Sequence, residues 1–510
     1  MVWRTGMLFN SIEFLFFFPI VVLAYFIIPK KVRYIWLLIA SYVFYMGWNA
    51  AYALLLLAST VVTYLSGLLL DRVSRCTATA DASDDTHRTT STHKLIVAIS
   101  CIISLGILFF YKYFTFALSL VSGTLALVGI SLNIPAFDII LPVGISFYTF
   151  QALSYTIDVY RGEIPAERNF LRYALFVSFF PQLVAGPIER SRNLLTQMQK
   201  PTVYDFEKAR DGFLLMLWGY FLKIVLADRI AVVVDTVYNG YEEYSGWYFV
   251  VATALFAIQI YCDFGGYSAI AIGAARILGF ELMENFNAPY TAMSVAEFWR
   301  RWHISLTSWF KDYLYIPLGG NRKGPFRKHL NRMIVFLVSG LWHGASLHFV
   351  VWGGLNGLYQ VIGDGLKPIR MRVVKALGLN SESFGYKLGR AAGTFVLVDL
   401  AWVFFRADRI RSACTILVSM FRLRNVWILV DGSLYRLGLN EKNFRLMLIG
   451  IAVLIVADML KRMGFNIRGF IVKQDYIFRW IVIVFAIVTI LTFGLWGPGY
   501  DATNFIYFQF

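Results

Sequence analysis

Two histidines are the side chains in this sequence best suited to moving a proton. His343 lies in the run Ser339-Gly-Leu-Trp-His-Gly-Ala345, and His303 lies in the run Phe298-Trp-Arg-Arg-Trp-His-Ile-Ser305. Histidine takes up and returns a proton near neutral pH. An ionisable group inside an apolar stretch costs several kcal/mol unless it has a partner or a polar cavity. Because only six of the 510 residues are histidines, we interpret this pair as the candidate for chemistry.

The surrounding residues narrow the kind of chemistry. His343 and His348 are five positions apart, about 140° around a helix, so they do not share a face. The sequence contains no His-Glu-x-x-His pattern and no Gly-x-Ser-x-Gly elbow, so neither a metal site nor a serine nucleophile is predicted. What remains is a histidine acting as general base on a hydroxyl, with a second polar residue that orients an acyl group.

Less reactive interpretations of the same residues stay open. His343 could be a core histidine hydrogen-bonded to a neighbouring carbonyl, and His303 could be an interfacial residue that contacts lipid headgroups. Asp263, in Tyr261-Cys-Asp-Phe264, is a further ionisable group in an apolar run. A structural ion pair with Arg276 or Arg300 is the favoured interpretation of this aspartate.

The elements that must position these groups are membrane helices. Hydrophobic residues make up 58% of the sequence and charged residues 15%, whereas a soluble chain has about 25% charged residues. Crossing a bilayer takes about 20 apolar residues. The apolar runs are 11–28, 33–48, 51–70, 95–111, 114–131, 139–157, 171–188, 209–227, 248–275, 332–351, 391–405, 446–459 and 478–496. They predict an all-α, polytopic membrane protein with eleven to thirteen helices, some of them re-entrant.

Two segments are expected to differ from simple spanning helices. On a helical wheel, residues 297–313 place aromatic side chains on one half and charged or hydroxyl side chains on the other. This pattern predicts one helix that lies along the interface or lines a polar cavity and ends near Pro317. Residues 180–190 contain two prolines and a glycine, so they are predicted to form a broken or re-entrant segment.

The net charge of +16 does not indicate nucleic-acid binding. The basic residues form short clusters between apolar runs, which is typical of cytoplasmic loops. Residues 29–33 and 71–94 are therefore placed on the cytoplasmic side. The polar segment 71–94 is predicted to be a flexible loop, and 364–390 a basic connector. No separate soluble domain is evident, so 1–510 is predicted to be one membrane domain.

The motifs together resemble one known family. The chain is similar to the membrane-bound O-acyltransferase (MBOAT) family, and within it to the bacterial alginate O-acetyltransferase-like branch. The motifs that carry this resemblance are Leu141-Pro-Val-Gly-Ile-Ser-Phe-Tyr-Thr-Phe-Gln151, Phe179-Phe-Pro-Gln-Leu-Val-Ala-Gly-Pro-Ile188, Glu297-Phe-Trp-Arg-Arg-Trp-His-Ile-Ser305, Tyr313-Leu-Tyr-Ile-Pro-Leu-Gly-Gly-Asn-Arg322, Gly340-Leu-Trp-His-Gly-Ala-Ser346 and Trp402-Val-Phe-Phe-Arg-Ala407.

The resemblance implies a curved helical bundle, with re-entrant and interfacial helices around a central tunnel. It also implies an acyl thioester donor on the cytoplasmic side and acyl delivery toward the outer face. His343 matches the family's central histidine and His303 its partner, and both are expected to be catalytic, with no metal. The residues expected to bind or support the substrate are Trp342, Arg300, Asp263, Asn321 and Gln151.

The expected activity is O-acetylation of an exported, alginate-like polysaccharide with acetyl-CoA as donor and no bound cofactor. Expected partners are the lipid bilayer, an extracellular SGNH-type acetyltransferase and polysaccharide export machinery, and the expected location is the bacterial inner membrane. Three alternatives remain open: D-alanyl transfer from a carrier-protein thioester to teichoic acid, a transporter with a histidine proton relay, and a structural scaffold. Peptidoglycan or cellulose would fit the same residues as acceptor.

Overall fold

The computed structural model of the protein describes residues 6–78, 85–130, 140–496 and 505–506. Every regular element in these ranges is a helix, which confirms the all-α class. Within these ranges, six helices are long and apolar enough to cross a bilayer, so the chain is a multi-pass membrane protein. They are Ala50–Arg75, Ser91–Leu127, Trp247–Ile277, Phe384–Arg406, Glu441–Arg462 and Tyr476–Phe493.

Several predicted segments are arranged differently in the structure. The runs 95–111 and 114–131 are not two helices, because Ser91–Leu127 is continuous through a π-helical stretch at Phe109–Tyr113. The run 332–351 is not one helix, because the chain turns at residues 344–346. Residues 71–94, predicted to be a loop, are helical at 71–78 and 85–94, and 79–84 lie outside the described ranges. The predicted connector 364–390 contains the helix Lys367–Ala376.

The chain divides into two compact units, residues 1–213 with 270–283 and residues 214–269 with 284–510. The single domain predicted from the sequence stays a prediction. In the first unit, buried phenylalanines from the amino-terminal helices form part of the core. Its helices are Ile12–Ile27, Arg33–Met46, Ala50–Ala78, Asp85–Leu108, Phe114–Leu127, Ile145–Tyr160, Phe170–Ser178, Phe180–Leu183, Thr196–Met198 and the first half of Phe206–Tyr220.

The second unit has three fully buried tryptophans at its centre, Trp302, Trp352 and Trp402. The Trp352 and Trp402 rings are stacked with centroids 5.6 Å apart, and Trp302 lies 5.2 Å from Trp402. The helices of this unit are Asp228–Asn239, most of Trp247–Ile277, Val295–Arg301, Ile304–Phe310, Gly324–His343, Leu347–Gly365, Lys367–Ala376, Phe384–Arg406, Ile410–Phe421, Glu441–Arg462, Ile467–Val472 and Tyr476–Phe493.

Glycines allow two helices of the second unit to pack with their backbones in contact. Gly324–His343 and Leu347–Gly365 fold back on each other as a hairpin. A Cβ added at Gly340 would overlap the carbonyl oxygen of Phe349, and one added at Gly353 would overlap the carbonyl oxygen of Phe336. Small residues at such crossings are the usual basis of close helix packing in membranes. The crossing lies one turn before His343, so it helps to fix that end of the helix.

We expect Gly353→Ala to lower the midpoint of thermal unfolding in detergent, because overpacking a close contact costs about 1–3 kcal/mol. Gly354→Ala is the matched control, since its added Cβ would meet only the Leu337 side chain, at an ordinary contact distance of 3.5 Å. Alanine is also the better helix former at both positions. Equal melting temperatures for the two variants would contradict the proposed packing.

Candidate active site

His343 occupies the end of the hairpin helix described above. It is the last residue of Gly324–His343, and Gly344 is in an extended conformation with φ −159° and ψ 148°. The next helix begins at Leu347, so the turn is only three residues long. The residue is almost fully buried, with 3% exposure. The helix end and the glycine crossing together hold the ring inside the second unit.

His303 lies at a break between two short helices. The predicted single helix over 297–313 is wrong, because Val295–Arg301 ends before His303 and Ile304–Phe310 begins after it. His303 has φ 43° and ψ 54°, a left-handed conformation that costs a non-glycine residue of order 1–3 kcal/mol. A regular helix would point this side chain in another direction. The break therefore sets where the imidazole lies, and a wheel projection does not contain this information.

The two imidazoles are neighbours. Their ring centroids are 6.4 Å apart and their planes are inclined by 61°, and His303 is completely buried. At this separation a single polar atom can reach both rings where their nitrogens face it. We call these two residues the histidine pair. The structure thus brings together two side chains that are 40 positions apart in the sequence.

In the described part of the chain, aromatic side chains lie against both members of the histidine pair. The Phe264 ring lies edge-on to His303 at 4.7 Å. Trp342 contacts both imidazoles, at 6.0 Å from His303 and 5.0 Å from His343. Two further rings lie against His343, at 5.0 Å for Trp352 and 5.5 Å for Phe405. These rings form an apolar wall in which electrostatic interactions with a substrate are stronger than in water.

Burial affects the charge of His303. Loss of hydration lowers the pKa of the His303 imidazole from its usual value to about 3, because the charged form is the one penalised by burial. His303 does not belong to any of the six helices that are long enough to span the membrane. At physiological pH it is therefore a neutral ring, which has one nitrogen that donates a hydrogen bond and one that accepts.

Asn285 stabilises the break at His303. The Ile304 N–H donates to the Asn285 carbonyl oxygen at 3.0 Å, and the Ser305 hydroxyl donates to the Asn285 side-chain oxygen at 2.6 Å. The Asn285 amide donates in turn to the Ser268 hydroxyl at 3.0 Å. Asn285 is itself buried. The strained residue is thus held by hydrogen bonds to the residues that follow it.

Asp263 forms a buried ion pair, but not with either of the arginines predicted from the sequence. Its carboxylate lies 2.6 Å from the Lys223 ammonium, which is also 2.8 Å from Asp228. Arg276 instead pairs with carboxylates of the first unit, and the Arg300 side chain is exposed. The prediction of an ion pair was right in kind and wrong in partner, because the buried cation beside Asp263 is Lys223, whereas Arg300 is exposed.

The Asp263 carboxylate also binds the carboxyl-terminal segment. It accepts a hydrogen bond from the Ile506 N–H at 2.8 Å. The Phe505 ring packs on Tyr267 with centroids 4.8 Å apart, and the Lys223 ammonium lies 5.6 Å from the centre of the same Phe505 ring. Asp263 is adjacent in sequence to Phe264, which contacts His303. We therefore interpret it as a residue that supports the site through packing.

The other residues predicted to bind or support the substrate have different surroundings in the structure. Trp342 contacts both histidines, as described above. Asn321 is exposed in the turn that precedes Gly324–His343. Gln151 belongs to the first unit, where its amide donates to the carbonyl oxygen of Phe176 at 2.6 Å. Within the described ranges, no group of three or more histidine, cysteine, aspartate or glutamate side chains could hold a metal ion.

Sequence reasoning missed Lys223 and Asn285. Lys223 stands inside the apolar run 209–227, so the argument applied to His343, that a charge in an apolar run needs a partner, could have identified it. Asn285 lies in a polar loop between helices, and nothing in its neighbourhood distinguishes it from an ordinary turn residue. Its role follows only from the contacts described above.

Comparison with known proteins gives consistent matches. Residues 163–373 match the sequence profile of the MBOAT, membrane-bound O-acyltransferase family. The probable alginate O-acetylase AlgI of Pseudomonas aeruginosa is 35% identical over 449 residues, which cover 88% of this chain and 80% of that protein. The peptidoglycan O-acetyltransferase of Helicobacter pylori is 33% identical over 458 residues, 82% of this chain and 81% of that protein. The teichoic acid D-alanyltransferase of Bacillus subtilis is 26% identical over 238 residues, which cover 43% of this chain and 58% of that protein.

Proposed function

Because this chain belongs to the membrane-bound O-acyltransferase family, we propose that it moves an acetyl group from cytoplasmic acetyl-CoA across the membrane for O-acetylation of an exported polysaccharide. The observation that carries the proposal is the histidine pair, with ring centroids 6.4 Å apart inside an aromatic wall. A proton acceptor beside a neutral hydrogen-bonding ring, in apolar surroundings, is what an acyl transfer to a hydroxyl requires.

In the proposed reaction His343 is the general base. It accepts the proton of the attacking hydroxyl while the hydroxyl oxygen forms a bond to the carbonyl carbon of the thioester. The carbon–sulfur bond then breaks, and the thiolate leaves with the proton that His343 took up. The products are an acetyl ester and free coenzyme A. General-base catalysis of this kind typically contributes about 10²–10⁴ in rate.

His303 is proposed to act on the carbonyl oxygen. Negative charge develops on this oxygen as the carbonyl carbon becomes tetrahedral, and a pre-positioned N–H stabilises it without reorganisation. The low pKa of His303 fits this role, because the ring stays neutral and keeps one N–H to donate. The left-handed backbone at His303 holds that ring in place at an energetic cost.

The acceptor hydroxyl is proposed to belong to a partner. An extracellular SGNH-type acetyltransferase would receive the acetyl group and pass it to the polymer, together with the polysaccharide export machinery. The proposed location is the inner membrane of a bacterial cell. Similarity to an alginate acetylase and to a peptidoglycan acetyltransferase supports a cell-envelope polymer as the final acceptor.

The alternative cargo is D-alanine from a carrier-protein thioester, for transfer to teichoic acid. The match to a D-alanyltransferase is weaker and covers less than half of this chain, so acetyl transfer is better supported. In a transporter, by contrast, the histidines would relay protons and no donor would be consumed.

Following the thioester donor distinguishes acetyl transfer from D-alanyl transfer, and acyl transfer from transport. Purified protein in lipid nanodiscs is incubated with labelled acetyl-CoA and with membranes that contain the acceptor system. We expect free coenzyme A to appear and label to enter the polymer, with no label transferred from a D-alanyl carrier-protein thioester. Preferential use of the D-alanyl donor would replace the acetyl assignment. Folded protein that leaves both the acetyl donor and the D-alanyl donor intact, with no label in the polymer, would contradict acyl transfer by this chain.

A further inference from the structure

A cavity in the first unit is lined by a concentration of positive charge. It lies where the helix Ile12–Ile27 ends and the helix Arg33–Met46 begins, and its volume is about 240 Å³. Five of its thirteen lining residues are cationic and none is acidic. We call it the basic pocket. The cationic residues are Lys30, Lys31, Arg33, Arg172 and Lys200.

Arg33 places a fixed, buried charge in the basic pocket. The residue is only 9% exposed, and its guanidinium donates to the backbone carbonyl oxygens of Ile28, Thr202 and Phe26 at 2.9, 2.9 and 3.0 Å. These partners are neutral, as are the aromatic rings of Tyr25 and Phe26 beneath it. They hold the side chain in position without cancelling its charge, and a buried charge without a counter-ion is costly.

Little negative charge offsets the basic pocket. In the described part of the chain, no carboxylate pairs with Lys30, Lys31, Arg33 or Lys200, whereas Arg172 lies 3.4 Å from Glu167. The buried Nε of Arg172 has no hydrogen-bond partner. The pocket also contains the amino terminus of a 14-residue helix, which attracts anions through its free N–H groups and its dipole. A small anion is the ligand that these features select.

The position of the pocket at the end of the helix Ile12–Ile27 indicates the source of that anion. Phe16, Ile20, Leu23 and Ile27 are exposed along the helix Ile12–Ile27, as expected of a surface that faces lipid. The pocket begins directly after this apolar surface ends. Its other wall continues into exposed Val203, Tyr204 and Phe206, and the Tyr204 ring packs on Phe26 at 5.1 Å. Tyrosines and basic residues at the end of an apolar helix are typical of the headgroup layer.

We propose that the basic pocket binds the phosphate of an anionic phospholipid headgroup, with the acyl chains lying along the exposed apolar side chains of Ile12–Ile27. A phosphate offers several charged acceptors to the two guanidinium and three ammonium groups of the pocket. The volume is below the roughly 300–1,000 Å³ of pockets for drug-sized ligands, so it suits a headgroup better than an entire nucleotide. The inference does not depend on the proposed acetyl transfer.

The test compares lipid retention by two charge variants. Lys30→Gln/Lys31→Gln/Lys200→Gln removes three exposed lysines of the pocket. Lys367→Gln/Arg372→Gln/Lys375→Gln removes the same charge from exposed positions elsewhere. Native mass spectrometry in detergent measures the binding of phosphatidylglycerol and of phosphatidylcholine. We expect the wild type and the control variant to retain phosphatidylglycerol preferentially, and the pocket variant to bind it roughly tenfold or more weakly.

Further measurements distinguish a lipid phosphate from a soluble phosphate. Inorganic phosphate and coenzyme A are added to the wild type, and the thermal unfolding midpoint is recorded with and without phosphatidylglycerol. Stabilisation by phosphatidylglycerol alone supports the lipid assignment. Stabilisation by a soluble phosphate that the pocket variant loses, without selective lipid binding, would overturn it. Equal lipid binding by both charge variants would overturn the site. If the triple variant does not fold, the single variant Lys200→Gln replaces it in both measurements.

Discussion

A protein carrying His343→Gln is expected to fold and insert into the membrane while leaving the exported polymer unacetylated. Glutamine fills much of the space among Trp342, Trp352 and Phe405 and keeps polar atoms there, but it does not accept a proton near neutral pH. Loss of the general base should lower the rate by about 10²–10⁴. The measurements are the acetyl content of the secreted polymer and the amount of the variant in the membrane.

Two further variants show whether the loss of acetylation is specific to the histidine pair. His348→Gln is the matched control, because His348 is also buried but its Nδ1 contacts the Phe404 carbonyl oxygen at 2.9 Å, and its ring packs on Phe349. It should retain most of the acetylation. His303→Gln should lose about 10²–10³ if it stabilises the carbonyl oxygen. Normal acetylation by folded His343→Gln would remove this histidine from the reaction.

The second large effect concerns stability. In Lys223→Met, the carboxylates of Asp228 and Asp263 stay in the interior but lose the ammonium group that they share. Their negative charges then repel each other. Removing one partner of a buried ion pair typically costs about 3–5 kcal/mol. We expect a large drop in the thermal unfolding midpoint and in the yield of folded protein. Tryptophan fluorescence during heating of the purified protein in detergent measures it.

The surface pair of Lys461 and Glu284 provides the control. Their charged atoms are 3.2 Å apart, but the side chains are 43% and 59% exposed. Lys461→Met should therefore change stability by at most about 1 kcal/mol. Asp263→Asn should fall between the two, since an amide oxygen can still accept the Ile506 N–H and Lys223 keeps Asp228. If Lys223→Met melts with the wild type, the buried pair does not stabilise the fold.

The membrane character and the histidine pair could be predicted from the sequence, for different reasons. Apolar length is a local property, so the hydropathy pattern predicts the apolar segments, although the runs 95–111 and 114–131 join into one helix. His343 and His303 stood out because ionisable groups are costly in apolar surroundings and rare in this chain. The predicted helix over 297–313 failed at one residue. The wheel assumes regular geometry, whereas contacts with Asn285 hold His303 in a left-handed conformation.

Local sequence therefore specified which segments are apolar and which side chains could do chemistry. Tertiary packing specified where the chain turns and which groups meet. The run 332–351 is continuous in hydropathy, yet it turns at 344–346 so that Gly340 and Gly353 can pack together. Asp263 meets Lys223 and, 243 positions along the chain, the Ile506 N–H. Such partners depend on long-range packing, and neither periodicity nor spacing encodes them.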